Sequence, residues 1–181
     1  MRRLLGLVAL IGVLLAGWIV WTRLGPVPQT PPPMLDTALE AGARADHILI
    51  EKSARRLTAM RAGQPVMTTS VALGFAPTGD KSQEGDGKTP EGLFVIDRKN
   101  PNSAYHLSLG INYPRSEDIA RATAEQKDPG GDIFIHGQPN SLGSLITLPG
   151  DWTAGCIAVT NAEIEALWTL VDRGTTVEIR P

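Results

Sequence analysis

The chain has 181 residues, 42% of them hydrophobic and 20% charged, with 17 basic against 19 acidic side chains. That length supports one compact domain with a short appendage, and the composition excludes an intrinsically disordered chain and a multi-span membrane protein. The formal net charge is −2, and −5 once Arg2, Arg3 and Arg23 are set aside with the N-terminal segment, which argues against nucleic acid as a partner.

In chain order, Met1-Arg2-Arg3 precedes an uncharged run over residues 4–21 that closes with Trp18 and Trp21, and Arg23 follows. As a helix this run would extend roughly 27 Å, close to the hydrocarbon thickness of a bilayer. The leading arginines favour a cytoplasmic N-terminus, and tryptophan suits the far interface. A cleaved signal peptide is the rival reading, although no clean Ala-x-Ala site follows. Either reading places the rest of the chain in the cell envelope, on the periplasmic side of the inner membrane. Residues 1–23 are thus an expected membrane anchor or signal sequence. Residues 24–46 hold a proline-rich spacer (Pro26, Pro28, Pro31, Pro32 and Pro33) and a short helix over 35–44. Residues 47–181 form the expected folded domain.

Within that domain the pattern is one of short strands punctuated by Gly, Pro, Asn and Asp. Strands are expected over residues 47–52, 57–61, 66–74, 93–97, 105–109, 132–136 and 176–179, with apolar alternation resuming at Ile157 and Val159. Residues 62–65 and 99–103 read as hairpin connections, and 115–126 as a surface helix. The clearest helix covers 161–171, where Ile164, Leu167, Trp168 and Val171 share one face. Thr160 and Glu163 form its capping box and Gly174 its stop. Trp168 on that stripe reads as core packing. The expected fold class is α+β, mainly β: a sandwich or barrel with short peripheral helices.

Cys156 is the only cysteine, so an exported chain has nothing to pair it with internally. A lone cysteine is ordinarily a small buried hydrophobe. Here, however, it follows Gly155, and glycine lets a backbone come close to a ligand. Backbone N–H groups at such a bend can face a developing oxyanion, worth about 3 kcal/mol per donor. Residues 132–136 end in His136, immediately before Gly137. A free thiol is only a few per cent ionised at neutral pH and needs a base or a cation nearby, and His136 can supply either. On this reading the thiol should titrate below its free value.

These residues resemble the L,D-transpeptidase catalytic domain, also called the YkuD domain. The resemblance is carried by Ile135-His136-Gly137, by Thr153-Ala154-Gly155-Cys156-Ile157 and by Lys88-Thr89-Pro90-Glu91-Gly92, and it covers about residues 48–181. Ala154 and Ala158 replace the histidine before Gly-Cys and the arginine or asparagine just after the cysteine that are commonest in the family. The chain is instead similar to a subgroup with Asp-Trp-Thr-x-Gly-Cys-Ile-Ala-Val-Thr over 151–160.

The resemblance implies a YkuD-like fold and a Cys156 thiolate that attacks an L,D peptide bond of a peptidoglycan stem peptide. His136 would serve as its base, Gly137 would fix the ring, and N–H groups at Gly155 and Cys156 would form the oxyanion hole. It implies no metal and no organic cofactor. His106 and the Glu84-Gly85-Asp86 segment are candidate substrate contacts, with a solvated turn as the equal alternative for the latter. Residues 141–150 are a candidate lid. Three functions remain open from the residues: transfer to an amine, hydrolysis by an amidase or carboxypeptidase, and non-catalytic envelope binding.

Overall fold

The computed structural model describes residues 44–143 and 146–181, and the expected N-terminal segment, proline-rich spacer and nearly all of the short helix after it lie outside them. The elements are β1 (Ala45–Glu51), β2 (Arg56–Arg61), β3 (Gln64–Ser70), β4 (Gly92–Ser103), β5 (His106–Ile111), α1 (Ser116–Ala124), β6 (Phe134–His136), β7 (Ile157–Ala158), α2 (Asn161–Leu170) and β8 (Val171–Arg180). The strands form one eight-stranded sheet in the order β3-β2-β1-β8-β4-β5-β6-β7. The mainly-β expectation with short peripheral helices holds. Among the described residues no helix is long and apolar enough to cross a membrane.

Alternation along the strands builds the core. Ile48, Ile50, Leu57, Ile96, Leu109, Ile111 and Ile135 are fully buried, and Ile164 and Leu167 of α2 close onto them. At about 25 cal/mol per Å² of apolar surface removed from water, this burial is the main source of stability. The β2–β3 turn uses Ala62 and Gly63, both at positive φ (49° and 76°), the geometry of a type I′ hairpin whose twist matches that of its strands.

Two local expectations are corrected. Residues 99–103 continue β4 instead of turning, because the pairing with β5 runs on to Ser103↔His106, and the reversal falls on Ala104 and Tyr105. Gly174 does not stop α2, which ends at Leu170. It lies at φ 94° in a bulge of β8, where the register against β1 jumps from Ala45↔Val171 to His47↔Thr176. The helix C-terminus is instead closed by Lys99, whose Nζ donates to the carbonyls of Trp168 (2.7 Å) and Val171 (2.8 Å). At the N-terminus the capping box forms as expected: Glu163 N donates to Thr160 Oγ1 at 3.3 Å and Thr160 N to Glu163 Oε2 at 2.7 Å. Trp168 packs half-buried against the core.

Candidate active site

β6 is three residues long and lies between β5 and the edge strand β7, and His136 is its last residue. The chain turns at Gly137, whose N–H points at the carbonyls of Tyr105 (3.0 Å) and Leu107 (3.3 Å). A Cβ there would lie 2.6 Å from Asn161 Oδ1, so no larger residue fits. The buried His136 ring donates from Nδ1 to the Gly137 carbonyl at 2.7 Å. That bond selects the tautomer with an unprotonated Nε2, which is the form a general base requires. Burial pushes the imidazole pKa below its ordinary 6.5, with the Gly137 bond partly opposing.

Two aromatic rings enclose the histidine. Tyr105 lies 4.5 Å away between centroids, and Trp152 meets it edge-on at 5.7 Å. The Trp152 Nε1–H is buried and finds no hydrogen-bond partner among the described residues.

The segment that carries Cys156 hangs from the strand extension after β3. Thr153 N donates to Leu73 O at 3.1 Å, and Phe75 N donates to Thr153 O at 2.9 Å. Asp151 is held by Arg55 (Nη2 to Oδ2, 2.7 Å) and by Leu73 N (2.8 Å). The Thr153 hydroxyl then accepts from Gly155 N at 3.1 Å and donates to Cys156 O at 2.7 Å, closing the bend on itself. Gly155 sits at φ 138°, with space for a Cβ refused by Lys88 O at 2.8 Å. β7 pairs in parallel with β6 as Ile135↔Ile157 and His136↔Ala158, which sets Cys156 immediately before β7, two residues back in register from the partner of His136.

Among the described residues, the hydrogen bond from the Cys156 thiol goes to the Asp132 carbonyl at 3.4 Å and none joins it to His136. Burial, with the Asp132 charge, pushes the thiol pKa up, against smaller opposing effects from the Phe134 N–H and the Lys81 ammonium. The expectation of a thiol titrating below its free value is therefore corrected. Desolvation disfavours both ions, so the resting pair is a neutral thiol and a neutral imidazole.

The secondary site residues behave differently from their sequence reading. The Gly155 N–H is already bound to Thr153, whereas the Cys156 N–H takes no hydrogen bond among the described residues. His106 lies at φ 67° with Nε2 2.6 Å from Glu165 Oε1 of α2, so helix and ring occupy one another. Asp86 is turned inward. It accepts from Lys81 Nζ (3.0 Å) and from the N–H groups of Ser82 (2.8 Å), Gln83 (3.1 Å) and Lys88 (3.0 Å). Despite its burial, those donors hold its carboxyl below the usual range. Among the described residues, neither His106 nor Asp86 shares a hydrogen bond with Cys156 or His136, and the polar partners they have belong to the protein itself.

Sequence reasoning passed over Tyr105, Trp152, Thr153 and Gln138. Gln138 is buried, donates from Nε2 to Val159 O at 2.6 Å and accepts from Leu148 N at 2.9 Å, which ties down the stretch read as a lid. Residues 144–145 of that stretch lie outside the described ones. Trp152 and Thr153 stood in the Asp-Trp-Thr motif, but nothing local separates a ring that packs on a histidine from one that fills a core. Among the described residues, no three of His, Cys, Asp or Glu come together to hold a metal ion.

Comparison with known proteins adds a family. The profile of the YkuD family, the L,D-transpeptidase catalytic domain, matches residues 45–179. A protein of Escherichia coli (strain K12), named as a candidate L,D-transpeptidase, YafK, is 30% identical over 95 residues. That stretch is 51% of this chain and 32% of the relative, so the chain matches about a third of that protein's length. Among solved structures, Pgp2 of Campylobacter jejuni, described as a helical cell shape determining protein, superposes with a TM-score of 0.58 at 28% identity. The match covers 77% of this chain and 48% of Pgp2. Bd1075 of Bdellovibrio bacteriovorus has the same fold at a TM-score of 0.52 and 24% identity, over 83% of this chain and 53% of its own.

Proposed function

Because the chain belongs to the L,D-transpeptidase catalytic domain (YkuD) family, we propose that it is a cysteine-dependent acyl-transfer enzyme acting on peptidoglycan stem peptides. The observation that carries the reading is the Nδ1–H donated by His136 to Gly137 O, which leaves Nε2 as an acceptor on the strand beside Cys156. Nε2 takes the thiol proton as the sulfur attacks the carbonyl of an L,D peptide bond. A tetrahedral oxyanion forms, which the Cys156 N–H is placed to meet. The imidazolium then protonates the departing amine, the C–N bond breaks, and a thioester remains on Cys156. An amine from a second stem attacks that thioester, His136 again takes and returns the proton, and a new amide is released with the free thiol.

Starting from a neutral pair, proton transfer accompanies attack, so no standing thiolate is exposed to oxidants in the envelope. Tyr105 and Trp152 cover the imidazole and keep bulk water from it. The decisive experiment incubates the protein with muropeptides and analyses the products by mass spectrometry. Cross-linked dimers and loss of all turnover in Cys156→Ser are expected. Retained turnover in that variant would refute the mechanism.

Water as the acceptor is the second reading. It is favoured by the likeness to Pgp2, whose description names cell shape, a property that stem trimming alters as directly as cross-linking does. Only shortened stems would then appear. The site is proposed to act in the envelope, held there or delivered by the uncharged run over residues 4–21. A fusion at Pro181 to a reporter active only outside the membrane tests this, and a silent reporter on a stable chain would refute it.

A further inference from the structure

Residues 81–89 form a loop in which Asp86, one of its two acidic residues, faces inward, and whose backbone faces the nucleophile. The Asp86 side chain, 9% exposed, lies beside that of Lys81, 3% exposed. Oδ1 accepts from Lys81 Nζ and Lys88 N, and Oδ2 from Ser82 N and Gln83 N, so both oxygens are saturated. Behind the loop, Arg121 Nη2 donates to Lys81 O at 3.0 Å and Glu84 N to Asp128 O at 2.7 Å, fixing it to α1 and the segment after α1.

In front of it, two carbonyls press on the site. Gly87 O accepts from Ala76 N at 2.9 Å and stands 2.1 Å from where a Gly74 Cβ would be. Lys88 O stands 2.8 Å from where a Gly155 Cβ would be. The peptide N–H of Lys88 is therefore held by Asp86, while the carbonyl of the same residue backs the glycine that precedes the nucleophile.

We infer that Asp86 is a positioning residue: through Lys88 it sets the backbone of Gly155 and thereby the aim of the Cys156 thiol. The inference rests on the proposed role of Cys156 and deepens it. Four donors converging on one carboxylate leave the loop a single arrangement, and Gly155 at φ 138° is a conformation that needs outside support. A buried ion pair is a poor source of stability compared with apolar packing of the same volume, and is better suited to specifying one geometry. Lys81 supplies the counter-charge that lets Asp86 stay ionised there.

The test is Asp86→Asn in the full chain, with folding checked by circular dichroism and cooperative unfolding. An amide keeps the volume but turns an NH2 toward N–H donors. Alkylation of Cys156 by iodoacetamide at fixed pH is expected to slow about tenfold, and kcat on muropeptides to fall about tenfold to a hundredfold with KM little changed, as for a misplaced reacting group. Asp86→Glu, which keeps the charge, should recover part of both losses. A folded Asp86→Asn protein alkylated at the native rate or faster would overturn the inference.

If that variant does not fold, Gly155→Ala disturbs the same contact from the other side while leaving every Asp86 bond intact. Slowed alkylation is expected there too, and a native rate would again overturn the inference. Alkylation needs no stem peptide. A protein inactive on muropeptides whose alkylation still depends on Asp86 would refute the proposed substrate and leave the positioning role standing.

Discussion

The side chain of Thr153 spans the bend that carries Cys156, accepting from Gly155 N at 3.1 Å and donating to Cys156 O at 2.7 Å. One buried hydroxyl thus satisfies two backbone groups on either side of the residue that carries the thiol, in a stretch where no strand or helix ladder would do so. Thr153→Val keeps the shape and removes both bonds. A loss of about 1–3 kcal/mol in unfolding free energy, measured in urea, is expected from the orphaned Gly155 N–H and Cys156 C=O. Turnover should fall more than substrate affinity, because the bend and not the binding surface is released. A variant as stable and as active as the parent would show that the bend is held by its neighbours alone.

Burial sets the pH dependence. Since His136 lies below its ordinary 6.5, the base stays unprotonated further into acid than a free imidazole, and the acid limb of kcat/KM is expected below pH 6.5. The raised thiol pKa moves the alkaline rise in alkylation above the free-thiol value. For stability the signs follow from proton uptake. Below pH 6.5 the unfolded chain binds the His136 proton more readily than the folded one, so this contribution is full above 6.5 and is lost as pH falls toward the folded value. For Cys156 the folded chain holds the proton more tightly, so stability drops as pH rises through the raised value. Titration of His136 by NMR above 6.5 would contradict the first limb.

The unpaired Trp152 Nε1–H makes a selective prediction. Trp152→Phe deletes an unsatisfied buried donor along with some ring area, and the two effects oppose, so unfolding free energy should stay within about 1 kcal/mol of the parent. Trp152→Ala also loses the contacts with His136 and Tyr105 and should cost about 2–3 kcal/mol. Equal losses in the two variants would mean that the N–H is satisfied in solution.

Arg55 and Asp151 should act as a unit. Arg55 Nε and Nη2 reach both carboxylate oxygens, and Asp151 in turn takes Leu73 N, so the pair hangs the Trp152–Cys156 segment from the turn between β1 and β2. In a double-mutant cycle with Arg55→Met and Asp151→Asn, a coupling of about 0.5–2 kcal/mol is expected, reduced by the partial exposure of Arg55. Additive effects would show that the segment is held elsewhere.

Local order was legible wherever a residue's role depends on neighbours a few positions away. The Thr160–Glu163 box, the buried faces of Ile164 and Leu167, and the glycine turn after Ala62 follow from helical spacing, capping chemistry and positive φ. His136 before Gly137 and Cys156 after Gly155 mark the proposed site for the same reason, since a reactive side chain needs a backbone that leaves it room. The misreadings also have a local cause. Asn-Pro-Asn within residues 99–103 has turn composition, yet pairing with β5 outweighs it, and Gly174 serves a bulge instead of a helix end.

The separation of twenty positions from His136 to Cys156 in sequence says nothing of how those residues lie in space. The parallel pairing of β6 with β7 decides that, because register is fixed by which apolar faces must be buried together. Asp86 facing Lys81, His106 facing Glu165 and Trp152 facing His136 were equally out of reach, for a polar side chain's partner is whatever the fold packs against it. The neutral resting state of the thiol and imidazole is decided at the same level. The residue types supply the proton-exchanging groups, but desolvation, which selects their charge, exists only once the chain has excluded water around them.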